Sequence, residues 1–374
     1  MSKNITYLLG AGASYHSIPI VNTMNERMRM FLNMLENYKK YDHDSFKGKV
    51  DYGSRIKFPE FYKNIDSFSF GKYKEVVNEA FKHHTVDTYA RKLWLRRQRG
   101  HLKLLKEFLC LYFAFEQSPN SDKLLYGTPY DHENVEPYIK HKDHIKISLD
   151  YRYDVFMATL LNEYMELPDN ISVISWNYDY QLELAYMSYA NCSMRVAIND
   201  LSIYPGIKEI ENSNIVKLNG SAIQRGLKEK DEWISWDICP INNHDFYKAA
   251  LNDAFDSSPN LERARSENLI NFAWEDRLYQ AKAIKRAKEI LSNAQELIVI
   301  GYSFPNFNKK IDAQLFSRIQ PNQMNIKVQC EPEHYIGIEE SLKSLNSVIE
   351  EDIEIELHKD LKQFYIPAYH LINS

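Results

Sequence analysis

Six short runs of mainly apolar residues occur along the chain, and none of them alternates apolar with polar positions. They are Ile5 to Leu9, Ile171 to Ser175, Ile215 to Leu218, Leu297 to Ile300, Ile326 to Gln329 and Ile353 to Leu357. Such runs indicate strands covered on both faces, as in a parallel sheet. Helical patterns fall between them, at Tyr180 to Tyr189 and at Glu262 to Leu291. The alternation predicts an α/β fold with a Rossmann-like, doubly wound parallel sheet.

The first and second runs are separated by about 160 residues, whereas a simple strand-helix-strand unit needs only ~30. Residues 31–165 are therefore predicted to form a large, mostly helical insertion, in which Val86 to Phe115 is one of the clearest helices. The sheet domain is then expected to comprise residues 1–30 and 166–374.

Composition and charge do not favour a nucleic-acid or membrane protein. The chain is 44% hydrophobic and 26% charged, with a net charge of -5, which are ordinary values for a globular protein. The predicted helix leaves a local basic face open as an alternative, but a solvated helix surface is favoured because Glu107 and Glu116 follow and no aromatic stacking pattern is evident. The basic residues are Arg91, Lys92, Arg96, Arg97, Arg99, Lys103 and Lys106.

The cysteines are scattered and form no C-x-x-C pair, so neither a zinc site nor a disulfide framework is expected, and no metal is predicted. They are Cys110, Cys192, Cys239 and Cys330. The first strand leaves no room for a signal peptide, and no apolar run approaches the ~20 residues of a membrane span. A soluble, cytoplasmic protein without membrane attachment is expected.

Small and polar residues follow four of the predicted strands. The segments are Gly10-Ala11-Gly12-Ala13-Ser14, Trp176-Asn177-Tyr178-Asp179, Asn219-Gly220-Ser221 and Gly301-Tyr302-Ser303-Phe304-Pro305. Each has a structural alternative as a turn or a helix cap. Because ligands of open α/β sheets bind at the carboxyl ends of the strands, the four together predict a nucleotide pocket. Backbone N–H groups would bind phosphates, and Asn or Asp side chains a carboxamide or a sugar hydroxyl.

In this order the four segments resemble the sirtuin-like NAD-binding domains, closest to the bacterial branch associated with defence against phage. The resemblance covers residues 1–30 and about 170–335, and it implies that NAD is bound as a substrate, with Asn177 and Asp179 around its nicotinamide ribose and carboxamide. The other implied binding residues are Gly10, Ala11, Gly12, Ser14, Trp176, Gly220, Ser221, Gly301 and Ser303. Glu331, at another strand end, is a further candidate for the adenosine ribose, or else a solvated carboxylate.

The chain departs from the family at the position of its catalytic histidine, which is Asn219 here. An amide cannot accept a proton near neutral pH, and the zinc-ribbon cysteines of the deacylases are missing as well, so deacylation is disfavoured. Hydrolysis of NAD asks mainly for orientation, charge stabilisation and water. The predicted catalytic roles are Asn177 for the water or ribose, Asp179 for the carboxamide or developing charge, and Asn219 for a ribose hydroxyl. His16 and His244 are alternative bases, although surface or loop positions are favoured for both.

Three functions follow from the resemblance. The first is an NAD glycohydrolase that releases nicotinamide and ADP-ribose as an abortive-infection effector, gated by a partner or by oligomerisation, since unrestrained loss of NAD would kill the cell. The second is a silent NAD or ADP-ribose binding module, and the third is an ADP-ribosyl transferase or deacylase. The intact Asn177-x-Asp179 pair favours the first function, whereas Asn219 favours the second. Expected partners are further copies of the chain or a co-encoded ATPase, nuclease or Argonaute-like protein, with no direct binding of nucleic acid.

Overall fold

The computed structural model describes most of the chain and divides it into two units. Described are residues 3–19, 21–40, 67–117, 149–206, 211, 213–222, 224–227, 233–234, 266–268, 270–275, 278–319 and 324–368. The first unit comprises Met1–Tyr15, Leu149–Ser221 and Leu269–Ser374, and the second comprises His16–Ser148 and Ala222–Asn268. The predicted insertion of residues 31–165 overlaps the second unit but does not share its ends.

The described part of the chain contains strands β1 (Ile5–Leu9), β2 (Ile171–Ser175), β3 (Ile203–Tyr204), β4 (Ile215–Lys217), β5 (Gln224–Leu227), β6 (Trp233–Ile234), β7 (Ser266–Asn268), β8 (Glu296–Ile300), β9 (Asn325–Gln329) and β10 (Ile355–His358). Its helices are α1 (Val21–Lys40), α2 (Ser67–Ala80), α3 (Val86–Leu95), α4 (Arg99–Glu116), α5 (Tyr151–Leu160), α6 (Gln181–Ala190), α7 (Met194–Asp200), α8 (Leu278–Asn293), α9 (Lys309–Phe316), α10 (Pro332–Lys343) and α11 (Ser347–Asp352). A short 3-10 helix, Ala11–Ser14, follows β1. Within these residues no helix is long and apolar enough to cross a membrane.

The first unit is built on a seven-stranded sheet in the order β10-β9-β8-β1-β2-β4-β3, and every pair in it is parallel. The Rossmann-like α/β prediction is therefore confirmed. All six predicted strands are present, with ends that agree or differ by one or two residues. Strand β3 was missed because two residues are too short to give a pattern.

Strand β1 lies at the point where the strand order reverses. It pairs with β2 on one side and with β8 on the other, so Leu9 lies opposite both Ser175 and Ile300. The loops that follow these three strands consequently leave the sheet side by side. In an open α/β sheet, this switch point is where ligands bind.

The predicted helix at Tyr180 to Tyr189 is confirmed by α6, but the predicted helix from Glu262 to Leu291 is wrong in its first half. There the described chain contains β7 and a non-helical segment, residues 270–275, and α8 begins only at Leu278. In that segment the N–H of Asn271 donates to the carbonyl of Asn219 at 2.8 Å, and Ile270 and Phe272 are buried. Tertiary contacts thus override a helical spacing of apolar residues.

The single helix predicted from Val86 to Phe115 is also wrong, because the chain forms two helices, α3 and α4, with a turn between them. Arg97 has a positive φ of 58°, and the N–H of Gln98 donates to the carbonyl of Leu93 at 2.9 Å. This is the geometry of a helix end at which glycine is usual. Arginine in the left-handed position leaves no sequence signal for the break.

The second unit contains α1 to α4 and a three-stranded antiparallel sheet in the order β6-β5-β7. Arg27 on α1 forms two hydrogen bonds of 2.9 Å with the buried carboxylate of Glu116 at the end of α4. The guanidinium groups of Arg91 and Arg99 lie over the ring of Trp94, at 4.6 and 5.1 Å from its centroid. Two residues of the predicted basic face therefore pack on a tryptophan of α3, and a third, Lys106, is buried, so the seven do not form one solvated face.

A glycine at the switch point is predicted to be essential for folding. A Cβ on Gly301 would lie 2.2 Å from the nitrogen of Ala13, and its φ of +61° strains any other residue. Gly301→Ala should lower the free energy of unfolding by about 3 kcal/mol or more. Chemical denaturation measures this.

Gly337 provides the control, because it lies exposed in α10 and a Cβ there meets nothing within 4 Å. Gly337→Ala should raise the stability by about 0.5–1 kcal/mol through helix propensity. Equal stabilities of the two variants would contradict the packing seen at Gly301.

Candidate functional site

The glycines of the first loop are explained by the packing of two loops at the switch point. The N–H of Gly10 donates to the carbonyl of Ile300 at 3.0 Å, and that of Gly12 to Gly301 at 2.9 Å. A Cβ on Gly10 would lie 2.6 Å from the carbonyl oxygen of Gly301, and one on Gly12 would lie 2.8 Å from its Cα. The backbones of the loops after β1 and β8 are therefore in direct contact and leave no space for a side chain between them. Ala11, between the two glycines, is exposed.

Arg152 fixes the backbone of the first loop through its guanidinium group. Its buried guanidinium donates to the carbonyl of Ala13 at 2.9 Å and to that of Gly12 at 3.4 Å, and its Nε donates to the carboxylate of Asp150 at 3.0 Å. Because two loop carbonyls are directed at this cation, the orientation of their peptide units is fixed. Sequence reasoning missed Arg152, which lies inside the range assigned to the insertion.

Ser14 joins three side chains of the site. Its hydroxyl lies 3.0 Å from the hydroxyl of Tyr153 and 3.3 Å from Nδ2 of Asn177, and it also hydrogen-bonds the carboxyl of Asp179. A hydroxyl has one hydrogen, so Ser14 accepts from Asn177 and donates to Asp179. Ser14 is buried, and these bonds orient the side chains around it. Its predicted contact with NAD stays a prediction.

Asn177 is fixed by hydrogen bonds that determine which side of its amide remains available. Nδ2 donates to the carbonyl of Gly10 at 2.8 Å, and its backbone N–H donates to Oγ of Ser175 at 3.1 Å. Since only a nitrogen can donate to a carbonyl, Oδ1 is the atom left to receive a hydrogen bond. It can accept from a water molecule or a sugar hydroxyl, but it cannot donate to a phosphate.

Asp179 is buried, and burial raises the pKa of its carboxyl, while Lys217 and the bond from Ser14 lower it. Its Oδ1 accepts from the N–H of Gln181 at 3.1 Å, at the first residue of α6. Nζ of Lys217 donates to the backbone carbonyl of Asp179 at 2.7 Å and pairs with the buried carboxylate of Glu183. Asp179 is therefore anchored to β4 and α6 as well as to the first loop.

Asn219 contacts the loop after β2, which carries Asn177 and Asp179. Its Nδ2 donates to the carbonyl of Trp176 at 3.3 Å, and its own carbonyl accepts from the N–H of Asn271. The ring of Trp176 stacks on Tyr302, with 5.9 Å between the ring centroids, and is buried in the core, so Trp176 contacts Asn219 through its backbone. Gly220 follows with a φ of 73°, and Ser221 is buried.

The remaining predicted binding residues lie farther out. Ser303 is exposed on the loop after β8, next to Phe304, whose buried ring packs on Tyr302. Glu331 is exposed at the end of β9, which β8 separates from β1, and its carboxylate is 3.8 Å from Nδ1 of His334. Together with Glu333 these two could hold a metal ion, but exposed acidic groups are common without one, and the absence of a metal stays a prediction.

A buried carboxyl lies beneath the loop after β8. The Tyr302 hydroxyl donates to Oδ2 of Asp312 at 2.7 Å and accepts from Nδ2 of Asn308 at 3.1 Å. Burial raises the pKa of Asp312 to about 7, although the hydrogen bond from Tyr302 lowers it in part. Asp312, on α9, thus fixes the side chain of Tyr302 in the loop after β8.

The residues that sequence reasoning missed share one property: their partners are distant in sequence. Arg152, Lys217 and Asn271 contact loop backbone at Ala13, Asp179 and Asn219. No local motif marks such contacts. Of the two alternative bases, His16 belongs to the second unit, and His244 lies outside the described residues.

Comparison with known proteins gives no further assignment: neither the scan of protein-family models nor the search of curated proteins finds a match.

Stability should depend on pH through Asp312. The pKa of Asp312 in the folded protein, about 7, exceeds its ordinary value of 3.8. Its contribution to the free energy of unfolding is therefore full below about pH 4 and is lost as the pH rises through 7. Asp312→Asn keeps a neutral acceptor for Tyr302 and should remove this dependence.

Between pH 5 and pH 8, the free energy of unfolding of the wild type should fall by about 2 kcal/mol relative to that of the variant. Urea titrations at the two pH values measure the difference. A parallel response of both proteins would show that Asp312 is ionised in the folded state throughout this range.

Proposed function

We propose that this protein is an NAD glycohydrolase that releases nicotinamide and ADP-ribose. The observation that carries the proposal is the hydrogen-bonded unit of Gly10, Ser14, Asn177 and Asp179 at the switch point of the sheet. It combines a glycine loop, a fixed amide and a buried carboxyl where an α/β sheet binds its ligand. The sequence resemblance to sirtuin-like domains supports NAD as that ligand.

The pyrophosphate of NAD would lie against the outer side of the first loop. Ala11 is exposed, and it is the first residue of the 3-10 helix, where a backbone N–H lacks a partner within the helix. The N–H groups of Gly10, Gly12 and Ala13 already donate to backbone carbonyls, so Ala11 is the proposed donor to the phosphate. Gly12 and Gly301 allow no side chain between the loops, and Ser303, two residues after Gly301, is exposed and offers a hydroxyl. These features suit the phosphates and the ribose that follows.

In the proposed reaction, the bond between the nicotinamide nitrogen and ribose C1′ breaks, and its electron pair leaves with nicotinamide. The oxygen of water then bonds to C1′, and one water proton passes to solvent. Oδ1 of Asn177 would accept a hydrogen bond from that water or from the ribose and so orient it. The Asp179 carboxyl would stabilise the positive charge that develops on the sugar.

This reaction needs no strong base, which accords with an amide at position 219. A cationic, loosened sugar is a strong electrophile, so weakly activated water suffices. The competing proposal is a silent NAD or ADP-ribose binding module, and the observation favouring it is this same amide. ADP-ribosyl transfer or deacylation ranks third, because both use a nucleophile that a base must activate.

A biological role is proposed on the basis of the family resemblance alone. The protein would serve as an abortive-infection effector against phage, gated by oligomerisation or by a co-encoded ATPase, nuclease or Argonaute-like protein. A cytoplasmic location belongs to the same proposal.

Activity is predicted to depend on Asn177. Asn177→Ala removes an acceptor used mainly in the transition state and should lower turnover by ~10²-fold or more. Release of nicotinamide and ADP-ribose from NAD is measured by chromatography, with the protein alone and with the product of the neighbouring gene.

Asn199→Ala is the matched control, because Asn199 is an exposed residue of α7 in the same unit. Its turnover should equal that of the wild type. If the wild type with its partner binds NAD and releases neither product, the hydrolase proposal fails and the binding module replaces it.

Binding is predicted to depend on Ser303. Ser303→Trp places a large ring on the exposed side of the loop and should weaken NAD binding by at least ~10-fold, measured by calorimetry. Gly12→Trp is unsuitable for this purpose, because its Cβ would collide with the backbone of Gly301.

Ser344→Trp serves as the control at an exposed position after α10. Unchanged affinity in a folded Ser303→Trp protein would place the ligand elsewhere.

A further inference from the structure

The hydroxyl of Ser14 lies between three polar side chains that together use its whole hydrogen-bonding capacity. Its Oγ is 3.0 Å from the hydroxyl of Tyr153 and 3.3 Å from Nδ2 of Asn177, and it also hydrogen-bonds the carboxyl of Asp179. A hydroxyl donates one hydrogen bond and accepts two. Nδ2 of Asn177 can only donate, and the bond to Asp179 stabilises the ionised carboxyl, which can only accept. The single hydrogen of Ser14 is therefore directed at Asp179.

The direction of the hydrogen bond between Tyr153 and Ser14 follows from this assignment. Since the hydrogen of Ser14 is used on Asp179, the hydroxyl of Tyr153 must donate to Oγ of Ser14. Burial raises the pKa of the Tyr153 phenol well above its ordinary value, and the charge of Asp179 raises it further, so the phenol keeps its proton. The hydrogen bonds thus run in one direction, from Tyr153 through Ser14 to Asp179.

The ring of Tyr153 is held in place by the segment that follows β10. Tyr153 lies on α5 and is 1% exposed, and its ring meets that of Phe364 edge to face, with 4.8 Å between the centroids. The guanidinium of Arg152 lies 5.4 Å from the centroid of the same Phe364 ring. The next residue, Tyr365, donates its N–H to Oε1 of Gln329 on β9 at 3.1 Å. The phenol hydroxyl consequently has a fixed position relative to the sheet.

We infer that Tyr153 is a positioning residue of the proposed site, which donates to Ser14 and thereby holds the carboxyl of Asp179 as an oriented, ionised acceptor. Tyr153 is buried, so it acts through Ser14 rather than by contact with a ligand. Successive hydroxyl groups polarise one another, and the donation from Tyr153 makes Ser14 a stronger donor. The consequence for catalysis rests on the proposed function, because only an ionised carboxyl stabilises positive charge on the sugar.

The charged groups around Asp179 act on the same equilibrium. Burial raises the pKa of its carboxyl, Lys217 on β4 and the bond from Ser14 lower it, and Glu183 on α6 raises it. Lys217 is paired with Glu183, so part of its attraction for Asp179 is offset. Tyr153 on α5 is neutral and contributes only through its hydrogen bond to Ser14. Weakening the bond from Ser14 should therefore shift Asp179 toward its protonated form.

The test follows the titration of Asp179 itself and does not depend on turnover. Protein with isotope-labelled aspartate carboxyl carbons is titrated by NMR, and Asp179→Asn identifies the signal. Tyr153→Phe keeps the ring and removes the donor, so it should raise the pKa of Asp179 by roughly half to one pH unit.

Hydrolysis of NAD provides the second readout. In Tyr153→Phe the acidic limb of the kcat profile should move to higher pH by the same amount as the titration of Asp179. The KM for NAD should stay nearly unchanged, because Tyr153 makes no contact with the substrate in this arrangement.

Tyr335→Phe is the matched control, because it also loses a tyrosine hydrogen bond, from its hydroxyl to the carbonyl of Ile355 at 2.6 Å, and lies on α10. It should leave the titration and the pH profile as in the wild type. Ser14→Ala, which removes one oxygen, is the second variant and should raise the pKa of Asp179 at least as much. Adding Tyr153→Phe to Ser14→Ala should give no further shift, since the link is already lost.

An unchanged titration of Asp179 in folded Tyr153→Phe overturns the inference, and so does an equal shift with and without Ser14. A carboxyl that stays protonated at neutral pH in the wild type would reverse the direction of the hydrogen bonds and also overturn it. If the titration shifts as expected while the wild type with its partner releases no nicotinamide, the positioning of Asp179 by Tyr153 is upheld and only the proposed function fails.

Discussion

The approach of two backbones at the switch point is the constraint on which the site depends. Gly10 and Gly12 hydrogen-bond to the chain at Ile300 and Gly301, at distances that leave no room for a Cβ on either side. This contact continues the register of β1 and β8 beyond the sheet and fixes the direction of the first loop. The carbonyl of Gly10 then has a defined position, and Asn177 is oriented by donating to it. Glycine therefore determines the geometry of the site before any ligand is considered.

Two buried ion pairs extend this geometry. Asp150–Arg152 and Glu183–Lys217 lie behind the site, and burying such charges costs desolvation that their attraction barely offsets. Their effect is positional: Arg152 binds the carbonyl of Ala13, and Lys217 binds that of Asp179. Each cation thus ties a loop to a regular element. A hydrophobic replacement of either pair would fill the volume but leave those carbonyls without donors.

The sequence predicted what is determined locally or by sheet topology. Continuous apolar runs identified six strands, and the rule that ligands bind at strand ends selected Asn177 and Asn219. The side chain of Asn219 donates to the loop that carries Asn177. Features set by distant contacts were missed. The break at Arg97 has no glycine to mark it, and the segment around Asn271 carries apolar residues that fit a helix equally well. Its backbone pairs with Asn219, a contact that no pattern within the segment reveals.

The chemistry open to this site follows from which polar atoms are already used. The carboxyl of Asp179 accepts internal hydrogen bonds, and both amide nitrogens of Asn177 and Asn219 donate to backbone carbonyls. What remains for a ligand is a set of fixed acceptors with little exposure. Such acceptors orient water and hydroxyl groups but abstract no proton, so they suit a reaction in which the sugar ionises before water adds. Hydrolysis and mere binding would then differ only in whether water reaches Oδ1 of Asn177, a residue that is 8% exposed. Control over that access is how a partner or a second copy of the chain would gate the proposed hydrolysis.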